Sequence, residues 1–268
     1  MGTAALAKPG PDEEVRDECY YGYRTIIEYD REGRPSFSDR PLTLDDFLEP
    51  EEGDVYMQGN LHERDVDRLK SIFRHHLRDR GNMTVYSDMK IEWGAEGLPN
   101  PAPDISVIAD VRDPDRPRGS FSVPEEGVRP LLVLEVVSPR YRRADTDKKP
   151  EIYRQAGVSE YIIADPGLRG NRIAYTVRGY RLIGDRYVRI SPDSQGRIHS
   201  LTTDVRLGVS EAGDRLVITH AQTGEVLLSD EERAAQEKAR ADQEKSRADS
   251  AEEEVRRLRA ELEAMGIA

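Results

Sequence analysis

The sequence predicts an α/β domain followed by a long polar helix, and three observations carry that reading. Elements come in the order helix, strands, helix, strand, then short alternating runs. The run Leu131-Leu132-Val133-Leu134-Glu135-Val136-Val137 is apolar but for one glutamate, as a strand covered on both faces should be. From Ser229 to Met265 there is no proline, and Ala, Glu, Lys, Arg, Gln, Asp and Ser dominate.

Residues 1–41 lack clear periodicity and read as an N-terminal lead-in, in which Tyr20, Tyr21, Tyr23 and Ile26-Ile27 can pack on the main domain. Thr43 followed by Asp46 predicts a capped short helix through Leu48. A longer helix from about Leu61 to Arg80, stopped by Gly81, would bury Val66, Leu69, Ile72, Phe73 and Leu77. Strands follow at Thr84–Tyr86, Lys90–Trp93, Ile105–Ile108 and Leu131–Val137. A helix from about Thr146 to Ala156 ends at Gly157, and Tyr161–Ala164 is the next strand. Beyond Asp165-Pro166, alternating runs with Gly-rich turns predict an antiparallel appendage to the main sheet. The main domain is therefore expected over 42–228 and the helical tail over 229–268.

In the tail, Ala241, Ala248, Ala251, Val255, Leu258, Leu262 and Met265 recur at heptad spacing, with Glu244 as a polar fault. Val255, Leu258 and Leu262 would be exposed on a lone helix. Residues 241–265 are therefore expected to form a coiled coil that makes the chain a homo-oligomer.

Forty Lys and Arg against fifty-two Asp and Glu leave a net charge of -12. That argues against a coating protein holding nucleic acid by bulk positive charge, but not against an enzyme with a local site. No apolar run approaches the roughly 18 to 20 residues of a membrane span, and Ala4–Ala7 is too short for a signal-peptide core. Cys19 is the only cysteine, so an intrachain disulfide is impossible. A cytoplasmic protein without a membrane partner is expected.

Glu135 is the most informative residue. Burying an ionised carboxylate in an apolar strand costs several kcal/mol unless a cation or several donors meet it. Asp104, after Pro103 at the start of another apolar strand, can project from the sheet's end. Two such carboxylates can share a hard cation, and Mg²⁺ suits them because it takes few protein ligands and keeps several waters. The residue two beyond Glu135, on the same strand face, is Val137, which cannot supply a positive charge. The next supply is Lys148-Lys149, at the start of the following helix, past Arg140, Arg142 and Arg143.

Pro103-Asp104, Leu134-Glu135-Val136-Val137-Ser138-Pro139, Asp145, Lys149, Tyr153, Gly157-Val158-Ser159-Glu160-Tyr161 and Asp165-Pro166 occur in that order. The set resembles the Uma-type putative restriction endonuclease family, of the PD-(D/E)XK nuclease superfamily, over roughly residues 42–228. The resemblance implies a restriction-endonuclease-like mixed sheet flanked by helices. It matches Asp104 and Glu135 to the metal-binding acids. It matches Lys149 to a catalytic lysine displaced onto the next helix, four residues before Tyr153. Departures are Ser138-Pro139-Arg140-Tyr141, where the family commonly has Ser-Pro-Ser-Thr, and Gly53–Gly59, where many members carry Glu-Leu-Ile-Asp-Gly.

The implied function is hydrolysis of DNA phosphodiester bonds with Mg²⁺, or Mn²⁺ in its place. Asp104, Glu135 and Lys149 would be catalytic, with Lys149 orienting or helping to deprotonate water. Arg140, Arg142 and Arg143 would hold flanking phosphates. The alternative is a catalytically inactive scaffold of the same fold, acting through the coiled coil. Among other candidates, Asn60 and Glu63 have the spacing of a capping pair that flanks His62, His75-His76 diverge around a helix, and Trp93 reads as core.

Overall fold

The computed structural model describes residues 21–56, 59–80, 82–170 and 172–264. The lead-in up to residue 20, Gly81, which was expected to stop the long helix, and the last expected seam position, Met265, lie outside them. The chain divides into two compact units, one ending at Leu227 and the other beginning at Leu228.

Part of the lead-in, expected to be irregular, is a hairpin of β1 (Tyr23–Tyr29) and β2 (Pro35–Pro41). Asp30 Oδ1 pins its turn, accepting from the Glu32 and Arg34 amides at 2.9 and 2.8 Å. β2 is exposed along its whole length, as are Ile27 and Tyr29 of β1. Hydrophobic alternation marks a strand only when one face is buried, so this ribbon leaves no such signature.

α1 (Leu44–Leu48) starts with the expected cap: Thr43 and Asp46 each accept from the other's backbone amide. β3 (Asp54–Val55) pairs with β1. α2 (Asn60–Leu77) buries the five predicted apolar residues. Its N-cap is Gly59, with no side-chain cap, so Asn60 and Glu63 are not a capping pair. Next come β4 (Met83–Tyr86), β5 (Lys90–Glu92), β6 (Ile105–Ala109), β7 (Ser120–Ser122), the single turn α3 (Val123–Glu126) and β8 (Pro130–Val136). A π-helical turn over Ala144–Lys148 runs into α4 (Lys149–Gln155). The unit continues through β9 (Glu160–Arg169), β10 (Arg172–Ile183), β11 (Arg186–Arg189), β12 (Ile198–Ser200), β13 (Val205–Val209) and β14 (Leu216–His220).

The main sheet is mixed, in the order β11-β10-β9-β8-β6-β4. β8 and β9 are its parallel pair, which requires the α4 crossover between them, and the other pairs are antiparallel. β9 runs on through Asp165-Pro166, where it was expected to end, because β10 continues to pair with it as far as Arg169. The expected appendage splits: β10 and β11 extend the main sheet, while β12–β14 form their own antiparallel sheet.

Strand alternation divides β8 between two cores. Leu132, Leu134 and Val136 pack with α2 and the β12–β14 strands. Val133 and Val137 face the other way, toward Ile152 and Tyr153 of α4 and the β5–β7 residues Ile91 and Phe121. Glu135 falls on this second face by the same alternation.

The second unit is α5 (Asp230–Ala264), opened by a reciprocal cap between Ser229 and Glu232. No helix among the described residues is long and apolar enough to cross a membrane.

Candidate active site

The register that sets Ile105 opposite Leu134 puts Asp104, just before β6, beside Glu135, the penultimate residue of β8. The Asp104 amide donates to Glu135 Oε2 at 3.4 Å. Asp104 Oδ2 accepts from the Val136 amide at 2.7 Å and lies 3.1 Å from His62 Nε2. From the opposite face, Lys149 at the first residue of α4 sets its Nζ 3.0 Å from Glu135 Oε1 and 2.8 Å from Asp145 Oδ1. The Tyr153 hydroxyl donates to Glu135 Oε1 at 2.6 Å. The three sequence-predicted residues therefore meet at one end of the main sheet. Lys149 is 3% exposed and joins the cluster, whereas Lys148 lies in solvent.

His62, Asp145 and Tyr153 complete the cluster without having been assigned to it. Asp145, Lys149 and Tyr153 are spaced four apart, which places them on one helical face, a signal present in the sequence. His62 had no such signal, since it lies 42 residues from Asp104 and on the helix that covers the other face of the sheet.

The electrostatics are those of an anionic centre short of positive charge. Burial pulls the Lys149 ammonium toward neutrality, but the Asp145 and Glu135 carboxylates outweigh it and raise its pKa. Burial pushes Glu135 up, and neighbouring Asp104 and Asp145 add to the shift against the pull of Lys149. Asp145 is likewise raised, chiefly by burial. Asp104 goes the other way: burial raises it, but the hydrogen bond and charge of His62 hold it below its ordinary value. His62 in turn loses charge to burial and regains more from Asp104, so its pKa is raised. One ammonium and one imidazole thus face three buried carboxylates.

The donor set fits a divalent cation that needs few protein ligands. No group of three His, Cys, Asp or Glu among the described residues is placed to hold a metal. Two carboxylates remain, each with one committed oxygen: Asp104 Oδ2 to Val136 and His62, and Glu135 Oε1 to Lys149 and Tyr153. Asp104 Oδ1 accepts no hydrogen bond among the described residues, and Glu135 Oε2 accepts only the long one from the Asp104 amide. Such a pair, with water filling the other positions, is what Mg²⁺ tolerates and a softer metal does not prefer.

The cluster opens on a cavity of about 840 Å³, lined by Phe47, Tyr56, Asp88, Lys90, Asp104 and Lys149 among others. Lys149 Nζ sits 5.1 Å from the centroid of the Phe47 ring. Arg142, one of three arginines expected to hold phosphates, is instead paired with Asp165, which also receives Arg178.

A family model described as "Uma2: Putative restriction endonuclease" matches residues 44–216. The chain belongs to the Uma2 family. Membership supports a nuclease function, and the match spans α1 to the start of β14, so it contains all six clustered residues. No curated protein sequence matches the chain. A solved structure described as a putative nuclease belonging to DUF820, from Anabaena variabilis ATCC 29413, matches with a TM-score of 0.42 at 18% identity, over 61% of this chain and 91% of that one.

Proposed function

We propose that this Uma2 member is a Mg²⁺-dependent endonuclease of the PD-(D/E)XK type, hydrolysing phosphodiester bonds in DNA, with Mn²⁺ able to replace Mg²⁺. The carrying observation is Glu135, 1% exposed in an otherwise apolar strand, with Asp104 beside it and Lys149 on it. Asp104 Oδ1 and Glu135 Oε2 would hold the cation. When bound, it lowers the pKa of water and offsets charge on the phosphate.

The chain's own residues supply the rest. Lys149, held as an ammonium by Glu135 and Asp145, contributes positive charge to the transition state of the phosphate. Two carboxylates within 3.0 Å of its Nζ favour this role over the proton-accepting one that the sequence also allowed it. His62 and the Val136 amide fix Asp104 Oδ2, which aims the other oxygen. Tyr153 does the same for Glu135. Exposed Val255 and Leu258 support self-association through residues 241–265.

The test is cleavage of a mixed panel (supercoiled plasmid, linear duplex, single strand, branched junction) with Mg²⁺ or Mn²⁺. Metal-dependent cutting by wild type that is lost in both Glu135→Ala and Lys149→Ala, with unchanged circular dichroism, is the expected result. Failure of wild type to cut any member moves the weight to the scaffold reading, which the net charge of -12 favours.

A further inference from the structure

Among its described side chains α5 buries none: from Ala234 onward every one is exposed, including Val255 at 48% and Leu258 at 46%. Those two lie on the heptad seam, with Ala241, Ala248 and Val255 at its first position and Glu244, Ala251 and Leu258 at its second. The charges beside that seam distinguish the ways a second copy can lie on it.

In a parallel, in-register pair, the residue just before a first seam position meets the residue five places later on the other helix. Arg247 then faces Glu252 of the second copy, and Glu254 faces Arg259. Symmetry doubles each pair, so the stretch with the apolar side chains is bordered by attraction alone. One heptad earlier the same rule sets Arg240 against Lys245, and before that Arg233 against Lys238. There the charges repel, and Glu237 and Glu244 occupy the seam. An antiparallel pair centred on Val255 and Leu258 brings like flanks together: its attraction of Glu252 to Arg259 is offset by the repulsion of Glu254 from Glu261.

We propose that a second copy of this chain docks along residues 247–258 as a parallel, in-register coiled coil, and that residues 233–245 stay unpaired. This rests on the self-association proposed above and adds its orientation, register and extent. Both chains then enter the coil from the same end. About 25 Å of unpaired helix, at 1.5 Å per residue, precedes the coil on each chain.

Sedimentation equilibrium of the full-length protein at low salt tests it. Wild type should be a dimer and Leu258→Lys a monomer of unchanged helix content. Arg247→Glu should weaken the dimer about tenfold, since it turns two attractions into repulsions. Adding Glu252→Arg to that variant should restore it, because only parallel, in-register helices bring the two reversed charges together. In an antiparallel pair the new Arg would face Arg259, with no rescue. Ala251→Cys in a Cys19→Ser background should cross-link on oxidation.

A monomeric wild type overturns self-association and this proposal together. A dimer that survives Leu258→Lys places the contact elsewhere and overturns the proposal. A dimer lost with Leu258→Lys, but showing neither rescue nor cross-link, overturns the parallel arrangement alone. None of these readouts is cleavage, so the nuclease reading stands or falls separately.

Discussion

Two glutamates on the neighbouring parallel strands β8 and β9 are equally buried and do opposite things. Glu135 is 1% exposed and Glu160 is 0% exposed. Glu160 accepts from the Ser200 and Thr202 hydroxyls at 2.6 and 2.8 Å, from the Leu201 amide at 3.1 Å and from Arg181 Nε at 2.8 Å. Burial pushes its carboxyl up, yet these donors outweigh burial and hold it below its ordinary value. Glu135 has one lysine shared with Asp145, one tyrosine and a long amide contact, and it stays raised. Burial of an acid is therefore no mark of function by itself. What sets Glu135 apart is that its charge is poorly met beside an open cavity, the observation on which the proposed function rests.

That contrast breaks most visibly on substitution. Glu135→Gln should lower cleavage by about 10³-fold, the scale of losing one electrostatic stabiliser. It should leave folding stability unchanged or raised, since it removes an undercompensated buried charge. Cleavage rates and thermal melts of one preparation check both halves. A variant that cuts normally, or one that melts far below wild type, would make Glu135 the structural acid.

Next in size, His62→Ala should weaken the dependence of cleavage on Mg²⁺ by about 10- to 100-fold, as the loss of a group that orients a ligand does. Titrating Mg²⁺ against rate measures it, and a fall in rate at saturating Mg²⁺ with an unchanged midpoint would sink the positioning role.

Glu160→Gln should do the reverse of Glu135→Gln, keeping cleavage within about twofold while costing roughly 1–3 kcal/mol of stability through its unpaired donors. The pH dependence sharpens this. The folded pKa of Glu160 lies below the ordinary 4.5, so its stabilising contribution is complete above that value and is lost as pH falls through the folded one. The gap in melting temperature between wild type and Glu160→Gln should be widest near pH 7 and narrow as pH falls below 4.5.

The smallest effect is expected from Tyr153→Phe, which removes one hydroxyl donor from Glu135 Oε1. Cleavage should fall a few-fold, with a stability change of about 1 kcal/mol. A loss as large as that of Glu135→Gln would give Tyr153 a direct part in the chemistry.

What the sequence by itself determined were the features written in local patterns. An apolar run interrupted by Glu135 marks both a central strand and a charge needing a partner. The Thr43–Asp46 cap, the buried stripe of α2 and the heptad seam are all periodic or fixed-offset signals, legible because neighbours in sequence are neighbours on one element. The Asp104, Glu135 and Lys149 assignment came from the ordered blocks of a family pattern, and the fold brings the three together. Tertiary structure alone decided the rest. His62 reaches Asp104 only because α2 packs across the sheet from α4. Arg142 turns to Asp165, which lies in β9 beyond the expected end of that strand. The β1–β2 ribbon hides its strands because neither face of β2 is buried. For His62 and Arg142 the deciding contact joins residues far apart in sequence, and no local period or spacing encodes which distant group will meet a given charge.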